Sequence, residues 1–339
     1  MKWASMNRPA DLVEGRQWRL TRDEIIAIGQ HAFGATARIS DIYEVFGGTI
    51  NSTYLLAVTE ASLCVLRVAP SVTVASAGPS WLTANSLRRE HALTPFLAPI
   101  ATLLPRTLAA DFSRQLVDRD WMIQSVVPGT AWTALESRLN PTERADLWRQ
   151  FGNLTASLHA VLGDDFGVPE RPFRRWSEVV SDDLAGMLRD WQRFDLPDRA
   201  RIIALAEEVG RRRAVLDQIK MPHLIHSDLD PRHVFVDRGS DGAFRITGLI
   251  DHEYGRFADP ASEGLLTLLA HKPPEGSASF WERYQRPPSN DATRWRSLVY
   301  RATGLGWTAT DSAHRGDERA AEDALTELNE GVLDAVIDG

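Results

Sequence analysis

The sequence predicts an α+β protein in two parts, a β-rich N-terminal part followed by a mainly helical C-terminal part. Before the dipeptide Pro128-Gly129, apolar residues recur in short runs typical of β-strands. After it, the apolar spacing changes to about 3.6 residues, which is typical of amphipathic helices. A chain of 339 residues is long enough for two such parts. We therefore predict an N-terminal domain over 21–128 and a C-terminal domain over 129–339.

The β-rich part begins with a short predicted helix, in which Thr21 caps the first turn together with Glu24 and Gly34 ends the helix. Three strand-like runs then predict an antiparallel meander: Ile42–Phe46, Thr53–Val58 and Leu63–Val68. Residues 70–80, rich in Ser, Ala, Gly and Pro, read as a mobile loop. A further strand is predicted over Trp121–Val127.

The helical part is predicted from apolar stripes such as the one over Thr142–Val161, which carries Leu147, Phe151, Leu154 and Leu158. One β-type section interrupts it between His223 and Asp251. There the turn-forming run Asp237–Gly242 joins two apolar runs and predicts a hairpin.

The composition excludes several classes of protein. The formal net charge of −8 argues against nucleic-acid binding, which rests on a basic surface. A single cysteine, Cys64, leaves no internal disulfide to form. No run of about 18 apolar residues predicts a membrane span, and residues 1–19 lack the apolar core of a signal peptide. We therefore expect a cytoplasmic protein that binds neither nucleic acid nor membrane.

The most informative stretch is His226-Ser-Asp-Leu-Asp-Pro-Arg-His233, followed after the hairpin by Gly248-Leu-Ile-Asp251. Here the sequence resembles the aminoglycoside phosphotransferase and choline kinase family, relatives of the protein kinases. In that family a loop of the form H-x-D-x-x-x-x-N precedes a short hairpin and a metal-binding Asp. The matching positions are His226 and Asp228 in the loop, His233 in the place of the Asn, and Asp251 for the metal.

The resemblance implies a bilobal, protein-kinase-like fold and a phosphotransferase activity with an alcohol group as acceptor. The γ-phosphate of ATP or GTP would move to a hydroxyl of a small molecule, with Mg²⁺ neutralising the phosphate oxygens in the cleft of the fold. Asp228 would accept or orient the hydroxyl hydrogen, and Asp251 with His233 would hold the metal. His226 would hydrogen-bond backbone near the metal loop.

The N-terminal part resembles the same family in the same order. Its glycine-containing segment between the first two strands looks like the loop that covers the nucleotide. An arginine and an acid match the family's pair at the phosphates. The strand before Pro128 looks like the hinge strand, whose backbone would hold the base. The implied nucleotide-binding residues are Gly47, Gly48, Asn51, Ser52, Arg67, Glu90, Gln124 and Val126.

Two departures from the family pattern leave alternatives open. His233 stands where an oxygen ligand is usual, so a catalytically inactive nucleotide-binding protein is one alternative. At this position the sequence resembles the macrolide phosphotransferases, in which a His is compatible with activity. An enzyme that transfers a different group is another. Arg67 stands where protein kinases carry lysine, and it grips phosphate oxygens with two donors.

The acceptor is expected near Trp176 and the segments after Pro260, and Asp230 and Glu263 are expected to attract an amine on an antibiotic-like or metabolite substrate. Asp259 is expected to cap the following helix. The sequence leaves the acceptor's identity, the choice of ATP or GTP and the oligomeric state open.

Overall fold

The computed structural model of the protein describes residues 19–45, 48, 50–59 and 62–337. The chain divides into two compact units. The first, the N unit, comprises residues up to Gly78, Leu82–His91 and Pro105–Val126. The second, the C unit, comprises Pro79–Trp81, Ala92–Leu104 and the chain from Val127 onward.

The N unit is built on an antiparallel sheet with the strands β1 Ile39–Val45, β2 Ser52–Val58, β3 Ser62–Val68, β4 Thr107–Asp111 and β5 Trp121–Ser125. Their order across the sheet is β1-β2-β3-β5-β4. Tyr43 pairs with Leu55, and Thr53 pairs with Arg67, so the predicted meander of the first three strands is confirmed.

The helices in this region are α1 Arg22–Phe33, α2 Val72–Ala77 and α3 Ser86–Leu93. The capping box of α1 is present, because Thr21 Oγ1 accepts from the Glu24 N–H at 3.2 Å and Glu24 Oε2 accepts from the Thr21 N–H at 2.7 Å. The prediction of a loop over 70–80 is wrong at its centre. Ser71 accepts a hydrogen bond from the Val74 N–H and starts α2 there.

The core of the N unit lies between α1 and the sheet. Ile28, Leu56, Leu66 and Ile123 are fully buried in it, together with Cys64. Burial raises the pKa of the Cys64 thiol to about 11, so this cysteine is a packing residue. The predicted strand over 121–127 ends at Ser125, shortly before Pro128.

The C unit carries two small sheets. Their strands are β6 Thr130–Ala131, β7 Phe166–Val168, β8 Arg171–Phe173, β9 His223–Ile225, β10 Val234–Arg238, β11 Phe244–Leu249 and β12 Arg256–Ala258. One sheet has the order β11-β10-β6, and the other has the order β8-β7-β12-β9. The hairpin of β10 and β11 is the one that the turn sequence predicts.

Helices make up most of the rest of the C unit: α4 Trp132–Leu135, α5 Pro141–His159, α6 Trp176–Arg193, α7 Arg199–Arg211, α8 Arg213–Leu216, α9 Gly264–His271, α10 Asp291–Arg315, α11 Glu318–Gly331 and α12 Leu333–Ile337. The apolar stripe of α5 is buried, as predicted, and Phe151 packs against Trp132, Trp148 and Phe280. A second cluster packs α6, α7 and α10 together around Trp191 and Val299. Among the described residues, no helix is long and apolar enough to cross a bilayer.

Candidate active site

Three polar side chains converge in the C unit, between the end of β9 and the start of β12. They are Asp228, His233 and Asp251, and their ligand atoms all lie within 4.8 Å of one another. His233 Nδ1 lies 3.7 Å from Asp228 Oδ2, and His233 Nε2 lies 3.6 Å from Asp251 Oδ2. The structure therefore brings together the loop and post-hairpin residues that the sequence pattern singled out.

Local backbone geometry produces this convergence. Val234 pairs with Leu249 at the open end of the hairpin, and the Ile250 N–H donates to the His233 carbonyl at 3.0 Å. Asp251 then adopts a φ of 70°, and Ser227 in the loop adopts a φ of 68°. Positive φ is uncommon for residues other than glycine and clusters at functional sites.

The orientation of His233 is set by its own loop. Its Nδ1–H donates to the Asp228 carbonyl at 2.8 Å, which leaves the Nε2 lone pair on the side of Asp251. Metal-binding histidines in proteins usually have one ring nitrogen held by a carbonyl or carboxylate in this way.

Asp228 is the exposed member of the group, with 41% of its side chain accessible to solvent. Partial burial raises its pKa to about 6; the nearby Asp251 carboxylate adds to that rise, while His233 opposes it. Such an acid accepts a proton more readily than an ordinary aspartate at neutral pH.

The backbone of the loop over 226–233 is held by Glu263, which is fully buried. Its Oε2 accepts from the N–H groups of His226 at 2.9 Å and Ser227 at 3.3 Å, and its Oε1 accepts from the Leu229 N–H at 3.4 Å. Burial alone would raise the pKa of Glu263. The interaction with His159, 3.6 Å away, and the hydrogen bonds from the loop N–H groups outweigh this effect, so the pKa is lowered overall and the carboxylate stays charged.

The expectation that Glu263 attracts an aminated substrate is therefore wrong, because its oxygens face the loop backbone. The only sequence signal for this role is an acid placed directly before the apolar helix α9. Asp230 is also engaged, since its Oδ1 accepts from the N–H and the Nε–H of Arg232. Asp259 caps the turn after β12 through the Ala261 N–H, as expected.

His226 is 2% exposed and fixes the turn after the hairpin, because its Nε2–H donates to the Ile250 carbonyl at 3.1 Å. Its Nδ1 is buried and has no hydrogen-bond partner among the described residues. Burial lowers the pKa of His226 to about 4, with the neighbouring His252 and His233 acting in the same direction. The folded protein therefore keeps this ring neutral.

We expect His226 to make the protein less stable in acid. As the pH falls below the ordinary value of 6.5, the unfolded chain takes up the proton first, and the folded chain follows only near pH 4. This one group thus removes about 3 kcal/mol of unfolding free energy between pH 7 and pH 4. In urea titrations, His226→Gln should shrink the pH dependence by that amount; an unchanged pH dependence would contradict the assignment.

The N unit contains a second polar cluster. Arg67 on β3 donates to Glu90 on α3 at 2.5 Å, and Gln124 on β5 donates to the other Glu90 oxygen at 2.9 Å. The side chain of Glu90 is 1% exposed and that of Arg67 is 10% exposed. The arginine–acid pair that the family resemblance implies is therefore formed, and the Gln124 side chain donates a hydrogen bond to its acid.

We expect Glu90→Ala to lower the free energy of unfolding by about 3 kcal/mol, because it removes one partner of a buried ion pair. Urea unfolding measures this directly. The matched control is Glu275→Ala, which removes the 74% exposed partner of Arg144 and should cost less than about 1 kcal/mol. Equal costs for the two variants would show that the Arg67–Glu90 pair contributes no more than a surface pair.

The other residues that the resemblance implies for nucleotide binding lie near β2 and β5. Asn51 and Ser52 are buried at the start of β2, where Asn51 accepts from the Ser86 hydroxyl and Ser52 accepts from Arg119. Val126 follows β5 and is half-buried. Gly48 is exposed, and Gly47 lies outside the described residues.

A further feature that sequence reasoning missed lies in the same unit. Asp120 is fully buried, and both Arg88 and Arg114 donate to its carboxylate. Arg114 sits in the loop between β4 and β5 with a φ of 60°. The three residues are up to 32 positions apart, so their contact follows from the fold rather than from a local pattern.

A cavity of about 370 Å³ adjoins the loop over 226–233 within the C unit, and Ser227, the residue before Asp228, forms part of its wall. The rest of the wall comes from α6, β12, α9, α10 and α11 and from the residues around them. Its apolar and aromatic members are Trp176, Val180, Leu268, Tyr300, Leu305 and Trp307, and its charged or titratable members are Asp183, Arg256, His271, Lys272, Arg301 and Glu327. Trp176 and the segments after Pro260, where the acceptor is expected, thus line this space.

His233 and Asp251 offer donors that fit a divalent cation, and Asp228 lies close to both. The Asp251 carboxylate supplies the oxygen ligand that Mg²⁺ prefers, and an imidazole nitrogen is acceptable to Mn²⁺ and later metals. The spacing of the donor atoms needs only small side-chain movements to surround one ion.

The fold and this loop–hairpin arrangement define a kinase-like class of protein, and solved structures agree. The chain is similar to aminoglycoside phosphotransferase APH(4)-Ia in a ternary complex with AMP-PNP and hygromycin B, at a TM-score of 0.65 and 18% identity over 93% of this chain and 98% of that one. The gentamicin complex of APH(2″)-IIa gives a TM-score of 0.63 at 15% identity, covering 94% and 99% of the two chains. A GDP and kanamycin complex of another APH(2″) enzyme gives 0.61 at 17% identity, covering 89% and 95%.

Residues 42–298 match the phosphotransferase enzyme family, APH, and this chain belongs to that family. No curated protein sequence matches the chain significantly. The predicted α+β, kinase-like fold, with an N-terminal antiparallel sheet followed by a mostly helical region, is confirmed.

Proposed function

We propose that this protein is a small-molecule kinase, which transfers the γ-phosphate of ATP or GTP to a hydroxyl of an antibiotic-like or metabolite substrate. The observation that carries the proposal is the convergence of Asp228, His233 and Asp251 beside a cavity that the loop residue Ser227 lines. Phosphoryl transfer requires mainly an oriented acceptor and charge neutralisation, and this arrangement offers groups for both.

In the proposed reaction, Asp228 orients the acceptor hydroxyl and receives its proton. A bond forms between the acceptor oxygen and the γ-phosphorus, while the bond from that phosphorus to the β–γ bridging oxygen breaks, so the nucleoside diphosphate leaves. The pKa of about 6 keeps Asp228 mostly ionised, and therefore able to accept the proton, at neutral pH.

Asp251 and His233 would hold the metal, which supplies charge neutralisation at the phosphate oxygens when bound. His226 and Glu263 would act as positioning residues, because they fix the backbone on either side of these ligands. Neither touches the reacting atoms in this scheme.

For the nucleotide, we propose residues 21–128 as the binding domain and 129–339 as the catalytic and acceptor-binding domain. Arg67, oriented by Glu90, would contact the phosphates, and the segment from Gly47 to Ser52 would cover them. Backbone groups near Gln124 and Val126 would hold the base. The AMP-PNP and GDP complexes of the structural relatives support nucleotide binding of this kind without choosing between ATP and GTP.

One observation favours an alternative, an inactive nucleotide-binding protein, because His233 replaces the usual oxygen ligand. A mass-spectrometric transfer screen separates the two proposals. The protein is incubated with Mg²⁺ or Mn²⁺, with ATP and GTP, and with macrolides, aminoglycosides and hydroxylated metabolites. One acceptor gaining a single phosphoryl group supports the kinase, whereas nucleotide binding with no product across the panel supports the inactive form. Attachment of a nucleoside monophosphate would instead indicate a different transferred group.

The biological role that we place first is inactivation of an antibiotic, since the structural relatives are aminoglycoside phosphotransferases. Phosphorylation of a sugar, amino alcohol or amino acid in metabolism comes second.

A further inference from the structure

The charges that line the cavity beside Ser227 differ from those expected for an amine-binding site. Asp183 pairs with Arg256 at 2.7 Å, so this part of the wall carries no net charge. Glu327 pairs with both Lys272 at 2.7 Å and Arg301 at 2.8 Å, which leaves one excess positive charge there. Each carboxylate that lines the cavity therefore has a basic partner already in contact.

His271, which also lines the cavity, does not change this balance near neutral pH. Burial lowers the pKa of its imidazole, and the nearby Arg301 lowers it further. The wall thus has one more cation than anions around pH 7, although the whole chain carries a formal charge of −8. An amine entering this space would find no carboxylate without a competing guanidinium or ammonium group.

The uncharged part of the wall suits a ring with an apolar face. Trp176 and Trp307 flank the Arg256 guanidinium, whose central carbon lies 5.6 and 5.5 Å from their ring centroids. The Arg256 Nε–H is buried and has no hydrogen-bond partner among the described residues. The cavity volume lies near the lower end of the range of about 300–1,000 Å³ that is usual for small-molecule sites.

We infer that the acceptor is a hydroxylated ring compound that carries one anionic group, such as a carboxylate, and that polyamines are disfavoured. The inference rests on the proposed function, because it treats the cavity beside Asp228 as the acceptor site. The ring packs against Trp307, the anionic group lies near Lys272 and Arg301, and a hydroxyl reaches the loop at Ser227. Gentamicin and kanamycin, which relatives bind, carry several ammonium groups and do not match this wall.

Three phenyl β-D-glycosides that differ in one substituent test the inference: the glucuronide, the glucoside and the 2-amino-2-deoxyglucoside. Their binding to the full chain is measured by titration calorimetry in the presence of AMP-PNP and Mg²⁺, with kanamycin as a fourth ligand. We expect the anionic glycoside to bind about tenfold more tightly than the amine, with the neutral one between them. Binding of the amine or of kanamycin that equals or exceeds that of the glucuronide would overturn the inference. So would the absence of glucuronide binding at about 10 mM, a concentration at which even a weak site is detected.

Two variants locate the charge. Arg301→Gln should remove most of the preference for the glucuronide over the glucoside, which we expect to be about threefold, and Lys272→Gln should remove a smaller part of it. The Lys272 side chain is 70% exposed, so its replacement leaves packing intact. Lys220→Gln changes an exposed lysine outside the cavity wall and should leave the preference unchanged. Loss of preference in the Lys220 variant, or in neither cavity variant, would contradict the assignment.

Binding and transfer report on different proposals. Glucuronide-selective binding without any phosphoryl product would preserve this inference and count against the kinase proposal. Transfer to amines alone would preserve the kinase proposal and overturn the inference.

Discussion

Asp228→Asn should reduce phosphoryl transfer by about 10³-fold while nucleotide affinity stays within about twofold of the native value. The substitution keeps the size of the side chain but removes the carboxylate that we propose as the acceptor of the hydroxyl proton. Transfer is measured by mass spectrometry with the acceptor that the screen identifies, and affinity is measured by calorimetry with AMP-PNP and Mg²⁺.

The control is Asp230→Asn, a change of the same kind two residues away. Asp230 is 26% exposed and accepts hydrogen bonds from Arg232, so its replacement should change transfer by less than about threefold. General acid–base groups usually contribute about 10²-fold to 10⁴-fold to the rate. A transfer rate of Asp228→Asn within about tenfold of the native rate would therefore show that Asp228 is not the base.

Asp251→Asn should weaken the binding of the metal–nucleotide complex by 10-fold to 100-fold, on the order seen when a metal site loses a supporting group, and should abolish measurable transfer. Asparagine is the appropriate replacement because Asp251 has a φ of 70°, and asparagine tolerates this region better than alanine does. An effect of the variant then reports on the lost charge rather than on a strained backbone.

The comparison variant is His233→Asn, which supplies an amide oxygen in place of the imidazole nitrogen. Because Mg²⁺ prefers oxygen ligands, this variant should bind Mg²⁺–AMP-PNP at least as well as the native protein does. Unchanged binding in Asp251→Asn would exclude that residue as a metal ligand. A His233→Asn variant that gains transfer activity in Mg²⁺ would identify the histidine as the feature that limits the native protein.

The parts of the fold that were predictable are those in which a local pattern determines the structure. The capping box at Thr21 and the β10–β11 hairpin are formed as predicted, because each depends on residues close in sequence. The approach of Asp228 to Asp251 was predictable through a motif, since the loop and hairpin hold a fixed number of residues. The helix α2 was missed because four of its six residues are Val, Thr or Ser, which are weak helix formers, and its main local signal is the Ser71 cap.

The missed parts of the site depend on contacts between distant residues. Glu263 meets the loop backbone from 34 to 37 positions away, and its sequence neighbours give no sign of the hydrogen bonds that it accepts. The charge balance of the cavity likewise depends on Glu327 in α11, which pairs with Lys272 and Arg301 from two other segments. Spacing along the chain carries no information about such pairs.

The position of Glu263 at the start of α9 has an evolutionary consequence. The same helix supplies Gly264, Thr267 and Leu268 to the cavity wall, so substitutions there that change ligand choice also risk displacing the loop that Glu263 holds. Thr303, Leu305 and Thr308 of α10 line the same cavity from an element that begins at Asp291, well after the loop. Divergence toward new acceptors should therefore accumulate on α10, while the first turn of α9 tolerates few changes.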